Sequence, residues 1–217
     1  YRGIGTAESP GTAIFSVVGD VIHPGLVEIP MGVSLRTLIF DICGGIPNKK
    51  AFKSVQIGGP SGGCLPPDFL DTPIDFDSLT EAGAMMGSGG LVVLDETDCM
   101  VDIAKYFLSF TQEESCGKCT FCRIGTKRML DILENICGGK GKMEDLDELE
   151  NLAAIIKKGS ICGLGKSAPN PVLTTLKYFR EEYEAHINGV CPTGKCTELI
   201  TYSVNDNCIG CTKCSQQ

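Results

Sequence analysis

The stretch Glu114-Ser-Cys-Gly-Lys-Cys-Thr-Phe-Cys-Arg-Ile-Gly125 places three cysteines, Cys116, Cys119 and Cys122, at intervals of three residues. This spacing lets three thiolates converge on one soft metal centre without a long loop. A zinc ion also accepts thiolates, but structural zinc sites usually combine two Cys-x-x-Cys pairs rather than one triple. The stretch therefore predicts an iron–sulfur site whose fourth ligand comes from elsewhere in the chain.

Two cysteines compete for the fourth position. Cys162 lies in the glycine-rich segment Gly159–Gly165, between two predicted helices, where a loop can approach a cluster closely. Cys137 follows the apolar Ile136 at the end of a predicted helix, and such a cysteine is often a small core residue. We expect Cys162 to complete a four-cysteine site, with Cys137 as the alternative.

A second triple, Cys208, Cys211 and Cys214, lies close to the end of the sequence. It has the spacing that opens a bacterial ferredoxin motif, C-x₂-C-x₂-C-x₃-C-P. The fourth cysteine of that motif would be residue 218, one beyond the last residue given. We therefore expect an incomplete cluster motif here, and a further [4Fe–4S] cluster only in a longer chain.

A looser set, His186, Cys191 and Cys196, follows the last predicted helix. One histidine and two cysteines suit a structural zinc ion that receives one more ligand, expected from a C-terminal extension or a partner. The alternative is a surface histidine, stabilised by the helix dipole, with two incidental thiols. The isolated cysteines are interpreted as core or loop residues: Cys43, Cys64 and Cys99.

Composition limits the remaining functions. The 217 residues include 13 cysteines, an odd number arranged in bunches without an export signal, which favours metal binding in a reducing compartment over disulfides. We therefore expect a cytoplasmic protein. A net charge of −8 argues against nucleic acid as the main partner, and no apolar run is long enough for a membrane span.

The hydrophobic pattern predicts an α+β chain in two main parts. Residues 13–95 alternate in short β-branched segments around one helix, at Leu35–Ile42, which suggests a β-grasp-like unit. Residues 96–190 show four amphipathic helices, which predict a four-helix bundle. Neither glycine-rich loop, Gly58–Gly63 or Gly87–Gly90, has a nucleotide-binding pattern, so both are interpreted as turns.

Three segments together carry a resemblance to a known family: Gly83–Gly90 (GAMMGSGG), Glu114–Gly125 (ESCGKCTFCRIG) and Ser160–Gly165 (SICGLG). They resemble the NADH-oxidising flavoprotein subunits, which include the flavoprotein subunit of complex I and the β subunit of NAD(P)-linked, often electron-bifurcating, [FeFe]-hydrogenases. The resemblance covers residues 12–190. The added segment 191–217 is similar to the hydrogenase branch, whose β subunits carry a ferredoxin-like C-terminal domain.

The resemblance implies a domain plan and a set of cofactors. It implies a connector at 1–12, a ubiquitin-like β-grasp (SLBB) domain at 13–95, a helical bundle at 96–190 and a truncated ferredoxin-like segment at 191–217. One [4Fe–4S] cluster would bind to Cys116, Cys119, Cys122 and Cys162. FMN and NAD(P) would bind only to an N-terminal domain that this sequence lacks, so we expect no NADH oxidation by this chain alone.

The resulting hypothesis is an electron-transfer part of an NAD(P)H-dependent oxidoreductase, relaying single electrons between FMN and the clusters of partner subunits. The resemblance implies two such partners, a thioredoxin-like [2Fe–2S] subunit and a multi-cluster hydrogenase or dehydrogenase subunit. The alternative is a non-redox, zinc-stabilised scaffold that assembles partners. It accounts for the number of cysteines but not for three of them within seven residues.

Overall fold

A computed structural model describes residues 3–200, residue 204 and residues 207–211. Its first half contains a five-stranded sheet in the order β2-β1-β5-β3-β4. The central pair β1–β5 is parallel, and the neighbouring strands on both sides are antiparallel. The strands are β1 (Thr12–Gly19), β2 (Gly25–Pro30), β3 (Phe52–Ile57), β4 (Gly63–Leu65) and β5 (Gly90–Asp95).

One face of this sheet is covered by two short helical segments. A π-helical segment, Thr37–Ile42, begins after Ser34, whose hydroxyl accepts a hydrogen bond from the Thr37 N–H at 3.2 Å. Helix α1 (Phe76–Glu81) starts at an Asp75 cap. Their leucines and isoleucines pack on the buried strand residues, Phe15 and Val17 among them, to form the first core.

The second half is helical. Its longest helices are amphipathic, with the apolar stripe of each directed into a second core. Acidic residues open α4 and lysines close it, which is the arrangement that a helix dipole favours. The helices are α2 (Met100–Glu113), α3 (Thr120–Cys137), α4 (Glu144–Gly159), α5 (Gly163–Ser167), α6 (Asn170–Tyr178) and α7 (Arg180–Ile187).

The two halves meet where α6 lies against β4. The Cys64 N–H donates a hydrogen bond to the Thr174 hydroxyl at 2.9 Å. A small apolar cluster of Cys64, Leu94, Met100 and Phe179 fills the junction. The sheet therefore supports the helices that carry the cysteines.

The expectation of a mixed chain, with a sheet followed by helices, is confirmed, but three details differ. Strand β4 (Gly63–Leu65), which the sequence pattern does not predict, begins at the last glycine of the stretch interpreted as a turn, and the stretch after it contains α1. The fourth predicted helix is divided at Phe179, whose backbone (φ −133°, ψ 37°) leaves the helical region. Among the described residues, no helix is long and apolar enough to cross a bilayer.

Candidate iron–sulfur and zinc sites

The first cysteine triple lies where α2 turns into α3. Cys116 is exposed in the connecting loop, Cys119 immediately precedes α3, and Cys122 is buried in the first turn of that helix. Arg123 stabilises the loop that contains Cys116, because its Nη1 donates a hydrogen bond to the Gly117 carbonyl at 2.9 Å. The loop therefore presents thiols at one end of the helical half.

Cys162 precedes α5 and is exposed. Backbone N–H groups of Gly165 and Leu164 hydrogen-bond its sulfur and, with Lys166 nearby, they lower the pKa of the Cys162 thiol below its usual range. These groups favour the thiolate, which is the form that binds metal.

Close packing joins the two cysteine segments. A Cβ atom built on Gly165 would lie 3.2 Å from Cys122 Cβ, so the loop that carries Cys162 contacts the first turn of α3. The ring of Phe121, in the same turn, lies against Gly159, just before that loop. The structure thus brings the triple and Cys162 to the same end of the helices.

Cys137 is placed differently. It is buried at the opposite end of α3, fifteen residues after Cys122, or about 22 Å away along a helix that rises about 1.5 Å per residue. Its sulfur lies instead within 4.8 Å of ligand atoms of Asp102 and Cys196. This position does not fit the alternative in which Cys137 completes the first triple.

Two serine hydroxyls lie close to the cysteine segments and suit an iron–sulfur cluster. Ser115 Oγ lies 3.3 Å from Cys122 Sγ. Ser160 Oγ is buried and lacks a hydrogen-bond partner among the described residues. Hydroxyls near thiols suit the sulfur atoms of a cluster, which accept hydrogen bonds. Among the triple and Cys162, no three sulfur atoms lie within 4.8 Å of one another, so these thiols do not form a compact site for a single ion.

A second, buried group of side chains has a different geometry. Ligand atoms of Cys99, His186, Cys191 and Cys196 all lie within 4.8 Å of one another. Cys99 Sγ is 3.2 Å from His186 Nε2 and 3.9 Å from Cys196 Sγ, and His186 Nε2 is 3.3 Å from Cys196 Sγ. Three thiols and one imidazole around one point match the donor set of a structural zinc site.

The surroundings of His186 fix its orientation. Its Nδ1 lies 2.6 Å from the Glu182 carbonyl oxygen, so Nδ1–H donates there and Nε2 faces the thiols. A zinc-bound histidine characteristically has this second hydrogen bond. The Glu182 carboxylate accepts from the Met100 N–H at 3.0 Å and pairs with Lys53 at 2.5 Å, linking the group to the sheet.

Ionisation in this group is strongly perturbed. Burial opposes charge on Cys191, yet hydrogen bonds from the Thr193 hydroxyl and nearby backbone N–H groups lower its pKa to about 6. Burial also opposes protonation of His186, but its hydrogen bond to Cys99 raises its pKa to about 9. The thiols are crowded: contact with the Cys196 thiol, together with burial, raises the pKa of Cys99 well above its usual range. Contact with the neighbouring Cys137 thiol, together with burial, raises the pKa of Cys196 in the same way. A divalent cation would relieve this crowding.

Cys99, the fourth member of this group, is the residue that sequence reasoning missed. The sequence pattern favours a core or loop role for Cys99 and a fourth ligand from outside the chain. The structure instead places Cys99 before α2, where its sulfur also accepts from the Asp102 N–H at 3.5 Å. Cys43 and Cys64 are buried core residues, as expected, and burial raises the pKa of Cys64 to about 12.

The last triple has little described structure. Cys208 and Cys211 are exposed, and Cys208 Sγ accepts from the Gly210 N–H at 3.4 Å. Cys214 lies outside the described residues. The prediction of an incomplete ferredoxin-type site here stays a prediction.

The helices that carry the first cysteine triple are similar to the iron–sulfur binding region of an NADH oxidoreductase. Residues 102–186 match the family described as "NADH-ubiquinone oxidoreductase-F iron-sulfur binding region". The resemblance inferred from the three sequence segments is thereby confirmed, and the chain corresponds to the C-terminal part of its relatives.

Individual relatives come from both branches. The chain is 53% identical over 218 residues to the NADP-reducing hydrogenase subunit HndC of Solidesulfovibrio fructosivorans, covering 100% of this chain and 44% of that protein. It is 42% identical over 193 residues to an NADH-quinone oxidoreductase subunit of Streptomyces coelicolor, and this match covers 88% of this chain and 43% of that protein. The chain thus spans less than half the length of these curated relatives.

A solved structure has the same fold over most of the chain. The crystal structure of an air-oxidised NAD⁺-reducing [NiFe]-hydrogenase superimposes with a TM-score of 0.78 at 35% sequence identity. The match covers 86% of this chain and 32% of the hydrogenase chain.

Proposed function

We propose that this chain is the electron-transfer part of an NAD(P)H-linked flavoprotein subunit in a bifurcating hydrogenase-type complex. It would relay single electrons between FMN, on an N-terminal half of the full subunit, and the clusters of partner subunits. The observation that carries this proposal is the contact of Gly165 with Cys122, which puts the triple and Cys162 at one end of the helices. The family match at 102–186 supports it.

Different residues of the chain would bind the cluster and order the loop around it. Cys116, Cys119, Cys122 and Cys162 would bind a [4Fe–4S] cluster, which supplies one-electron chemistry when bound. Arg123 orders the loop between the first two cysteines through the Gly117 carbonyl. The exposure of Cys116 and Cys162 leaves the site open toward an electron donor or acceptor.

Anaerobic preparation of the full chain tests this proposal. We expect a [4Fe–4S]⁺ EPR signal after reduction, with about four irons and four sulfides for each complete cluster. Cys162→Ser should lose or convert the signal, because a weaker oxygen donor replaces a thiolate, whereas the matched Cys137→Ser should keep it. A protein with zinc but no iron would refute the proposal and favour the non-redox scaffold.

The finer domain plan is also a proposal. A sheet ordered β2-β1-β5-β3-β4 with a parallel central pair supports a β-grasp (SLBB) domain at 13–95. The long helices α2, α3 and α4 and the divided α6–α7 support a bundle at 96–190. We assign 1–12 as a connector and 191–217 as the start of a ferredoxin-like segment. The expected partners are a thioredoxin-like [2Fe–2S] subunit and a multi-cluster subunit, in the cytoplasm.

We propose separately that Cys99, His186, Cys191 and Cys196 bind a structural zinc ion. Their mutual approach within 4.8 Å, in a buried place, carries this second proposal. Zinc K-edge absorption should show a first shell of one nitrogen and three sulfurs. Cys99→Ser should lower zinc content, while Cys43→Ser, an equally buried control in the first core, should not. A preparation with iron but no stoichiometric zinc would refute it.

A further inference from the structure

The hydroxyl of Ser160 is an exception among the buried polar side chains. Ser160 is 4% exposed, and its Oγ is the single buried side-chain oxygen or nitrogen without a hydrogen-bond partner in the part of the chain that the structure describes. Comparable hydroxyls are paired: Ser54 Oγ donates to the Leu65 carbonyl at 3.1 Å, and Thr126 Oγ1 donates to the Cys122 carbonyl at 2.6 Å. A buried hydroxyl with no partner is costly, so a partner is expected.

The position of Ser160 indicates what that partner is. The residue ends α4, where its N–H bonds the Ile156 carbonyl at 3.0 Å, and it precedes Cys162 by two residues. A Cβ atom on Gly165 would lie 2.4 Å from Ser160 Oγ and 3.2 Å from Cys122 Cβ. The hydroxyl therefore lies against Gly165, where the segment that carries Cys162 meets the first turn of α3.

We propose that Ser160 donates a hydrogen bond to an inorganic sulfide of the bound cluster and so raises the reduction potential of the cluster. This inference rests on the proposed cluster site and adds a residue that tunes it. Reduction adds negative charge to the sulfur atoms, so a hydrogen-bond donor stabilises the reduced state more than the oxidised one. Removing the donor should make the cluster harder to reduce.

Ser115 provides a comparison within the same site. Its Oγ accepts from the Gly117 N–H at 3.4 Å and lies 3.3 Å from Cys122 Sγ, so its own proton is available to that sulfur. Ser115 therefore reaches a thiol that is already visible in the structure. Ser160 has no such neighbour in the described residues, which is why its acceptor is assigned to the cluster unit.

The test is a redox titration of the full chain, followed by EPR of the reduced cluster. A background of Cys208→Ala and Cys211→Ala removes signals from any cluster on the last triple. Ser160→Ala should lower the ratio of reduced to oxidised cluster at a fixed ambient potential by up to about tenfold, a shift of about 59 mV for a one-electron couple. Ser54→Ala, which removes a buried hydroxyl from the sheet, should leave the ratio unchanged.

A second measurement identifies the donor itself. Pulsed EPR after exchange into D₂O should show an exchangeable deuteron coupled to the cluster in the parent protein and its loss in Ser160→Ala. If Ser160→Ala assembles poorly, Ser160→Gly also removes the hydroxyl without adding bulk.

The outcomes separate this inference from the proposed function. A cluster present in all variants, with the same potential and the same deuteron coupling in Ser160→Ala, would overturn the inference alone. Folded Ser160→Ala and Ser160→Gly proteins that hold no cluster would also overturn it, since Ser160 would then serve the structure of the loop. Absence of any iron–sulfur cluster in the parent protein would instead refute the proposed function.

Discussion

Gly165 is the position at which the cluster site is most sensitive to one added carbon atom. In Gly165→Ala, the new Cβ would lie 2.4 Å from Ser160 Oγ, 2.6 Å from Ser160 Cβ and 3.2 Å from Cys122 Cβ. The first two separations are shorter than any van der Waals contact, so Gly165 and Ser160 must move apart, and the 3.2 Å approach to Cys122 limits how far Gly165 can shift toward α3.

Two opposing effects on the free energy of unfolding decide the outcome of Gly165→Ala, the cost of overpacking and the gain in helix propensity. Overpacking of this kind costs about 1–3 kcal/mol, whereas alanine in place of a helical glycine gains at most about 1 kcal/mol. The packing cost is the larger, so we expect a net loss of about 1–2 kcal/mol in the free energy of unfolding. Gly163, in the same short helix, has no atom within 4 Å of an added Cβ. Gly163→Ala should therefore be neutral or slightly stabilising.

Urea unfolding of the cluster-free full chain, followed by far-UV circular dichroism, measures the stability difference between the two variants. Iron and sulfide content after reconstitution measures whether the site still assembles, and we expect a reduced content in Gly165→Ala only. If Gly165→Ala equals Gly163→Ala in both stability and iron content, the close packing of the two cysteine segments is refuted.

Two further perturbations probe the junction with the sheet. Lys53→Met should lower the free energy of unfolding in urea by about 3 kcal/mol, because it leaves the buried Glu182 carboxylate without its ion-pair partner. The control Arg36→Met breaks an exposed ion pair and should cost less than about 1 kcal/mol. Equal losses in the two variants would contradict this prediction. Burial and the neighbouring Asp98 raise the pKa of Asp20 from 3.8 to about 6, so the folded state loses stability as the pH rises through that interval. Because Asp20 is partly exposed, solvent screening reduces the effect. Asp20→Asn should remove this loss and add about 1–2 kcal/mol to the free energy of unfolding at pH 8 but much less at pH 4. An equal gain at both pH values would argue against it.

Local patterns in the sequence are sufficient to predict much of the helical half of the chain. The acidic start and lysine-rich end predict α4 at Glu144–Gly159, as observed. The triple beginning at Cys116 indicates an iron–sulfur site, because its spacing is itself the chemical signal. Such features lie within one or two helical turns, so they can be read without knowledge of the fold.

Features that depend on distant contacts are missed. Cys99 and His186 are 87 residues apart, and only the packing of α2 against α7 brings their side chains to 3.2 Å. A cysteine directly before a helix is the one available signal, and it is also compatible with an ordinary cap. Strand β4 has three residues, two of them non-glycine, so its identity comes from pairing with β3 rather than from a pattern of its own.

The opposite exposure of the two proposed metal groups is consistent with different roles. An electron relay needs thiols near the surface, as at Cys116, whereas a structural ion gains from burial, as at His186. Helix α2 begins at the zinc group and ends at the cluster loop, and α3 returns over 18 residues, about 27 Å, toward Cys196. The paired helices thus set the separation of the two groups. Because the chain passes from Cys196 to Cys208, a zinc ion bound at the buried group would fix where the last cysteine segment leaves the helices.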